Sequence, residues 1–186
     1  MDIKAALQAR RAYRSLAPVQ VTKELVEDLA AAASLAPSCF NKQPWRFVFV
    51  HGPEALQKLK PAFSSGNEWC HDASMVVAVF SKKELDCAMK DGREYYLFDT
   101  GLGVMSLILR ATELGLVAHP IAGYDPGKVK TALGIPEDMT VITLINIGKH
   151  DEKISPKLNP DQAAGEAVRP PRRPFDEFSY IDRYQV

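Results

Sequence analysis

Three arginines lie close together near the start of the chain, in the stretch RRAYRS at residues 10–15. If this stretch is helical, Arg10 and Arg14 share one face, where like charges repel by about 0.2–0.5 kcal/mol. An anion between them would remove the repulsion, and each charged hydrogen bond from a guanidinium to a phosphate contributes about 1.5–3 kcal/mol. A solvated helix end, with its cations near the C-terminal dipole, explains the same residues. The stretch alone leaves both interpretations open.

A second group of arginines, RPPRRP, occupies residues 169–174. The surrounding residues 151–186 are rich in proline and lack a helical or strand period until the stretch FDEFSYI. We therefore predict one domain over residues 1–150, followed by an extended C-terminal arm over residues 151–186. An arm that folds back would bring Arg172 or Arg173 to the anion held by Arg10, whereas a solvated basic tail is the alternative.

A loop rich in hydrogen-bonding side chains joins a helix to a strand, in APSCFNKQPWRFVFV at residues 36–50. Ser38, Asn41 and Gln43 offer donors and acceptors on short side chains, which suits the polar edge of a flat heteroaromatic ring. Turn chemistry, in which Ser38 and Asn41 satisfy loop backbone groups, explains one or two of these residues. It explains the whole set less well, so the loop is a candidate binding segment.

The stretch HPIAGYDP at residues 119–126 is a further candidate, because Ala122 and Gly123 leave backbone N–H groups open to a ligand. Spacing alone favours a simple tight turn into the next helix. The histidines lack paired ligand spacing, so no metal site is predicted. Cys39 could act as a nucleophile with His119 as a distant base, although a lone cysteine is more often a small buried apolar residue.

Helices and strands alternate along the chain and would position these segments. Asp2 and Thr22 are predicted to cap two helices, the first of which carries the arginine pair at residues 10 and 11. Asp91 is predicted to introduce a long apolar helix that runs to about Leu114. Shorter helices follow Gly52 and Asp125, and strands are predicted at residues 45–50, 75–80 and 141–147. The continuous apolar run MVVAVF at residues 75–80 is expected to be buried on both faces. With three or four strands visible, the class is α/β or α+β with a small sheet.

Composition excludes several classes of function. The 23 basic and 23 acidic residues give a formal net charge of +0, so no overall field attracts nucleic acid or a membrane surface. Asp99 and Arg110 interrupt the most apolar region well short of a membrane span. The three cysteines show no metal or redox spacing and predict reduced thiols in a cytoplasmic protein. We expect no nucleic-acid and no membrane partner.

Together these motifs resemble those of the FMN-dependent nitroreductase family, in its shorter members. The family's RRSxR pattern is similar to residues 10–14, where Ala12 replaces the usual serine. Its PSxxNxQPW motif is present at residues 37–45, and its PIxGY turn at residues 120–124. The resemblance implies a three-layer α/β/α fold of the α+β class, with a small, mostly antiparallel central sheet flanked by helices and an extended arm packing on a dimer.

The resemblance also implies an activity. NAD(P)H would pass a hydride to flavin N5, and a nitroaromatic, quinone or similar small electrophile would then take the electrons in ping-pong order. The flavin would carry the chemistry, with Arg14 near the pyrimidine edge of the ring as an electrostatic tuner and no catalytic side chain. A homodimer would hold two FMN sites at its interface.

Ten residues correspond to family positions that bind FMN. Arg10 and Arg11 would bind the phosphate, together with Arg173 of the arm. Pro37, Ser38 and Asn41 would contact the flavin from the facing subunit. The full implied set is Arg10, Arg11, Arg14, Pro37, Ser38, Asn41, Ile121, Ala122, Gly123 and Arg173, in which residues 121–123 line the ring through their backbone.

The sequence is also compatible with three other functions. One is a specialised flavin enzyme of the same fold, such as a reductive dehalogenase or a flavin-fragmenting enzyme. Another is a flavin-binding module that stores or senses without turnover. The third is a cysteine-dependent transferase that uses Cys39.

Overall fold

Strand β5 organises the molecule, because it pairs with three of the other strands. The computed structural model describes residues 1–184, and within them one antiparallel sheet lies between two layers of helices. The strands are β1 (Leu16–Ala17), β2 (Arg46–Val50), β3 (Met75–Ser81), β4 (Val117–Ile121) and β5 (Thr140–His150). The helices are α1 (Ile3–Ala9), α2 (Lys23–Ser34), α3 (Pro53–Leu59), α4 (Tyr95–Glu113), α5 (Pro126–Leu133) and α6 (Pro160–Ala167).

The sheet follows the order β1-β5-β3-β2, and β4 also pairs with β5. In the register of β3 with β5, Met75 lies opposite Ile147, and Val117 of β4 lies opposite Gly148. Every pairing is antiparallel. The predicted small antiparallel sheet and α+β class are therefore confirmed.

The two faces of β3 explain the three layers. Val76 and Ala78 pack in one apolar cluster, which includes Leu59 of α3 and Val129 of α5. Alternate residues of the same strand, Met75, Val77 and Val79, pack in a second cluster with α2 and α4. Because successive side chains of a strand point to opposite faces, a continuous apolar run is buried on both sides. The expectation drawn from MVVAVF is confirmed.

Several helix boundaries follow from local capping. The Thr22 side chain accepts a hydrogen bond from Leu25 N at 3.2 Å, and Asp125 accepts one from Lys128 N at 3.1 Å. The long helix begins later than predicted, at Tyr95, so the expectation that Asp91 introduces it is wrong. Asp91 instead accepts a hydrogen bond from Arg93 N, and Gly92 has a φ of 79°, which turns the chain away from a helical path.

Two further expectations are corrected. Helix α1 ends at Ala9, and Arg10 has a ψ of 121°, so residues 10–15 are not helical and Arg10 and Arg14 do not share a helical face. The stretch around residue 119 belongs partly to β4, which was not predicted. Pro120 is tolerated there because β4 pairs only with β5 and forms an edge of the sheet.

The C-terminal arm is not extended throughout, because residues 160–167 form α6. Asn159 and Gln162 form a reciprocal capping box, and Pro160 occupies the first turn. The prediction of an extended arm is therefore wrong for residues 160–167. Of the predicted arm at residues 151–186, Gln185 and Val186 lie outside the described residues. No helix within residues 1–184 is both long and apolar enough to span a membrane.

Candidate functional site

Residues 10–15 form an extended segment that the end of α6 holds in place. The Glu166 carboxylate accepts hydrogen bonds from Arg14 N at 2.8 Å and from Ser15 N at 3.0 Å. Its side chain belongs to a residue that is only 7% exposed. A buried carboxylate is tolerated here because two backbone donors compensate for its lost hydration. The arm therefore determines the path of the N-terminal segment.

Arg11 strengthens the same junction. Its Nη2 donates to the backbone oxygens of Gly165 at 2.8 Å and of Glu166 at 3.2 Å, at the C-terminal end of α6. A cation is favourable there because the last carbonyl groups of a helix carry partial negative charge. Its guanidinium carbon also lies 4.5 Å from the centre of the Tyr13 ring, which stacks on His150 at 3.6 Å.

The N-terminal segment and the arm enclose a cavity of about 180 Å³. We call it the arginine pocket, because five arginines line it: Arg10, Arg11, Arg14, Arg169 and Arg172. Within residues 1–184, the observed ion pairs include none of these five side chains. The structure thus brings together the three N-terminal arginines that the sequence singled out.

The charges around the pocket repel one another. Burial lowers the pKa of Arg10, and the cations of Arg169 and Arg172 lower it further. Arg169 nevertheless stays in place because its Nη2 donates to the backbone oxygens of Gln8 and Arg10, both at 2.6 Å. An anion in the pocket would turn this repulsion into attraction.

Arg173 does not line the arginine pocket. Its Nη1 lies 3.5 Å from Glu177 Oε2 on the exposed part of the arm. Arg172 and Arg169 are the arm residues at the pocket. The role expected of Arg173 stays a prediction, whereas the arm is seen to fold back onto Arg10.

An aromatic pair lies beneath Arg14. The Arg14 guanidinium carbon is 5.9 Å from the centre of the Trp69 ring, and Trp69 packs against His119 at 4.7 Å between centroids. His119 Nδ1 lies 3.0 Å from the Tyr13 carbonyl oxygen, so the neutral ring donates from this nitrogen. Burial lowers the pKa of His119 to about 4. His119 therefore acts as a neutral support of the N-terminal segment.

The polar loop at residues 38–43 has a strained backbone. Phe40, Asn41 and Gln43 have φ values of 47°, 55° and 48°, in the left-handed region that non-glycine residues rarely adopt. Phe40 is also 90% exposed. Strain of this kind costs of the order of 1–3 kcal/mol per residue and is frequent at binding sites.

Within this loop Ser38 bonds to the backbone, as the simpler alternative drawn from the sequence expects, whereas Asn41 bonds to a side chain. Ser38 Oγ accepts from Gln43 N at 3.0 Å, and Asn41 Oδ1 accepts from Gln43 Nε2 at 3.1 Å. Cys39 N donates to Asp99 of α4 at 2.7 Å. No hydrogen bond among residues 1–184 joins the loop after Pro37 to the arginine pocket. Hydrogen bonds within residues 1–184 therefore do not link the two predicted parts of the site.

The turn after β4 is shaped by a close contact. Asn67 Nδ2 donates to Gly123 O at 3.0 Å, and a Cβ atom on Gly123 would lie 2.3 Å from this nitrogen. Glycine is required here for the approach of Asn67. Ile121 ends β4, and Ala122 is exposed beside it. Their predicted contacts with a ring remain predictions.

Sequence reasoning missed several residues that build this site. Glu166, Arg169, Trp69 and Asn67 hold or line it, but none was selected. Arg169 lies in the basic stretch already identified, and the Asn159-to-Gln162 capping signature could have revealed the helix that carries Glu166.

Comparisons with known proteins agree with the fold and the motifs. The family model described as the nitroreductase family matches residues 7–68 and 64–149. A Bacillus subtilis protein provisionally named NAD(P)H nitroreductase YdgI is 29% identical, with 80% of this chain and 88% of that protein covered. A Thermus thermophilus protein named NADH dehydrogenase is 27% identical, with 80% and 86% covered.

Solved structures give the same result. The crystal structure of an oxidoreductase containing FMN superimposes with a TM-score of 0.84 at 26% identity, and covers 100% of this chain and 94% of its own. A provisionally named nitroreductase from Exiguobacterium sibiricum, solved in complex with FMN, gives a TM-score of 0.83 at 22% identity, with 98% of each chain covered. The latter likeness concerns the fold alone.

Proposed function

Because this chain belongs to the nitroreductase family, we propose that it is an FMN-dependent NAD(P)H oxidoreductase that reduces nitroaromatics, quinones or similar small electrophiles. The observation that carries the proposal is the arginine pocket. Its five guanidinium groups surround about 180 Å³ without an ion pair to any carboxylate of residues 1–184. Planar guanidinium groups form paired hydrogen bonds with phosphate oxygens, so a phosphate monoester suits this pocket.

The residues present fit the phosphate of FMN. Arg10 and Arg172 line the pocket, and neither is paired with a carboxylate within the described part of the chain. Arg11 already donates to the end of α6, so we propose that it contributes charge and fixes the arm. Arg14 lies over Trp69, where its cation would face the flavin ring rather than the phosphate.

We propose that the site is completed by a second copy of this chain. Pro37, Ser38 and Asn41 lie on a loop without hydrogen bonds to the arginine pocket of the same chain, within the described residues. The exposed face of α4 beside this loop is apolar, with Phe98 57% exposed. Phe40 at the loop tip is exposed as well. A homodimer that buries these side chains would place the loop of one subunit at the flavin of the other.

The arm fits the same arrangement. After α6 it carries a series of exposed apolar side chains, at Phe175, Phe178, Ile181 and Tyr184. We propose that residues 1–150 form the flavin-binding domain and that the arm first crosses the arginine pocket and then packs on the partner subunit. Burial of such side chains would contribute roughly 1.5–3 kcal/mol each.

Bound FMN would accept a hydride from NAD(P)H at N5 and supply electrons to the second substrate. The chain's own contribution is placement and electrostatics. Arg14 would stabilise negative charge near the pyrimidine edge and so raise the flavin potential. The backbone of residues 121–123 would line the ring, and the Asn67 contact keeps this turn in place.

We also propose a cytoplasmic location. The thiols of Cys39, Cys70 and Cys87 are free, which suits a reducing compartment. NAD(P)H is the expected first substrate, and the balanced charge of the chain offers no general attraction for nucleic acid.

The visible absorption spectrum of the purified protein tests the proposal. FMN is added first, then NADPH or NADH under nitrogen, then a nitroaromatic compound or a quinone. We expect flavin bands that shift on binding, bleach with reductant and return with the acceptor. Return of the bands separates an enzyme from a flavin-binding module without turnover.

A matched variant links the spectrum to the arginine pocket. Arg93→Ala removes an exposed arginine that pairs with Asp91, outside the pocket, and should retain FMN. Arg172→Ala should lose part of the affinity. A wild-type protein that does not retain FMN would overturn the proposed function.

A further inference from the structure

Cys39 of the polar loop lies beside two adjacent residues that are distant from it in the sequence, Asp86 and Cys87. Cys39, Asp86 and Cys87 each offer one ligand atom, and these three atoms lie within 4.8 Å of one another. We call this group the thiol–carboxylate cluster. It is separate from the arginine pocket, and the proposed function does not use it.

One carboxylate oxygen of Asp86 lacks a hydrogen-bond partner among the described residues. The residue is only 8% exposed. Its Oδ1 accepts a hydrogen bond from Cys87 N at 2.7 Å, but its buried Oδ2 has no hydrogen-bond partner among residues 1–184. A buried carboxylate oxygen without a donor is unfavourable, and its usual resolution is a hydrogen-bond donor or a cation.

The surroundings of the cluster are rich in acidic groups. Asp99 accepts from Cys39 N at 2.7 Å and faces Asp86. Two carboxylates cannot hydrogen-bond to each other while both are ionised, so ionised Asp99 offers Asp86 no donor. The anionic forms of these groups oppose one another in the absence of a cation.

We propose that Cys39, Asp86 and Cys87 form a binding site for a thiophilic divalent cation of the zinc type. Two sulfur ligands and one carboxylate oxygen match the ligand preferences of Zn²⁺ and leave a fourth tetrahedral position open. Binding releases the protons of the two thiols and transfers no electrons. The cation would supply the positive charge that Asp86 Oδ2 lacks.

A disulfide between Cys39 and Cys87 is the competing explanation of their proximity. It would need a two-electron oxidant, and it would leave the unpartnered Asp86 oxygen unexplained. The cation accounts for both observations, so the cluster favours metal binding.

Metal binding would connect two segments that are far apart in the sequence. Cys39 lies in the strained polar loop, and Cys87 lies in the segment before α4. The cation would therefore fix the loop that carries Ser38 and Asn41. This proposal stands whether or not the chain uses FMN, since none of its ligands lines the arginine pocket.

Zinc titration of the full-length reduced protein, in competition with a chromogenic chelator, tests the site. We expect one Zn²⁺ per chain after desalting, measured by elemental analysis. Asp86→Asn keeps the shape of the side chain and should weaken binding by about 100-fold or more, as should Cys39→Ser. Cys70→Ala, which removes the cysteine outside the cluster, should bind as the wild type does.

A second measurement is independent of whether the variants fold. Zn²⁺ should protect Cys39 and Cys87 of the wild-type protein from alkylation, as read by mass spectrometry. At about 100 times its Kd it should also raise the melting temperature by about 5–10 °C. A wild-type chain that binds no zinc, or an Asp86→Asn variant with unchanged affinity, would overturn the proposal. So would a Cys39–Cys87 disulfide in a protein whose reduced form ignores zinc.

Discussion

Residues 10–15 and residues 38–43 are both short polar connections, but they are stabilised in opposite ways. The first segment depends on distant parts of the chain, since Glu166 binds its backbone N–H groups and His150 stacks on Tyr13. The second bonds largely within itself, keeps a strained backbone and exposes Phe40. The first segment is thus built within a single chain, whereas the second is the part of the site that we propose a second copy completes.

The largest effect should come from removing the support of the first segment. Glu166→Ala leaves one buried and one partly buried backbone donor without an acceptor, and each costs up to about 1–3 kcal/mol, so the free energy of unfolding should fall by about 2–6 kcal/mol. Chemical denaturation measures the change. Glu177→Ala, on the exposed part of the arm, should change it by less than about 0.5 kcal/mol. Equal effects of the two variants would contradict the comparison.

The same segment should respond to acid through His119. Its pKa is about 4 in the folded protein, because the ring is buried, and 6.5 is its ordinary value. The unfolded chain therefore binds more protons between these values, so stability is lost as the pH falls from about 6.5 to about 4. The total loss should be about 3 kcal/mol.

Denaturation curves across this pH range check the prediction. In His119→Gln, this fall in the free energy of unfolding with decreasing pH should disappear. His51→Gln, at an exposed histidine, should keep it. If the free energy of unfolding of His119→Gln depended on pH as that of the wild type does, other groups would be responsible for the acid sensitivity.

Two arginines of the first segment should differ in what they do for bound FMN. Arg10→Ala removes a charged donor from the pocket and should weaken binding by about 1.5–3 kcal/mol, which is roughly 10-fold to 150-fold in Kd. Arg14→Ala, which removes the cation over Trp69, should instead lower the flavin midpoint potential. Fluorescence titration and spectroelectrochemistry measure the two quantities. If both variants changed only affinity, the role proposed for Arg14 would be wrong.

The smallest effect should come from relaxing the second segment. Phe40→Gly removes the cost of a φ of 47° and should stabilise the isolated subunit by about 1 kcal/mol. If Phe40 packs on a second subunit, the same change should weaken the dimer, which analytical ultracentrifugation would detect. A more stable variant with unchanged self-association would show that this loop lies outside the dimer interface.

The sequence was sufficient for most of the layered fold. The apolar run of β3 predicted a strand buried on both faces, and Thr22 and Asp125 identified two helix starts. These features depend on local capping and periodicity, which neighbouring residues determine. Strand β1 was missed because its two residues carry no period, and β4 was missed because its proline resembles a turn.

The site was predictable only in part. The basic residues at both ends of the chain were identified, but their geometry was not, because α1 ends before Arg11 and the path of residues 10–15 depends on Glu166. Likewise, no feature of the sequence indicates that Cys39 lies beside Cys87. Contacts of this kind depend on tertiary packing, so neither spacing nor propensity can reveal them.

The hydrogen bonds from Arg11 to Gly165 and from Arg169 to Gln8 join the two ends of the chain. Ribosomes add about 5–20 residues per second, so the N-terminal arginines of a nascent chain wait roughly 10–30 s for the residues that enclose them. During this time the sheet can begin to form, but the arginine pocket cannot. The anion site that we propose is thus incomplete until Arg172 has been synthesised.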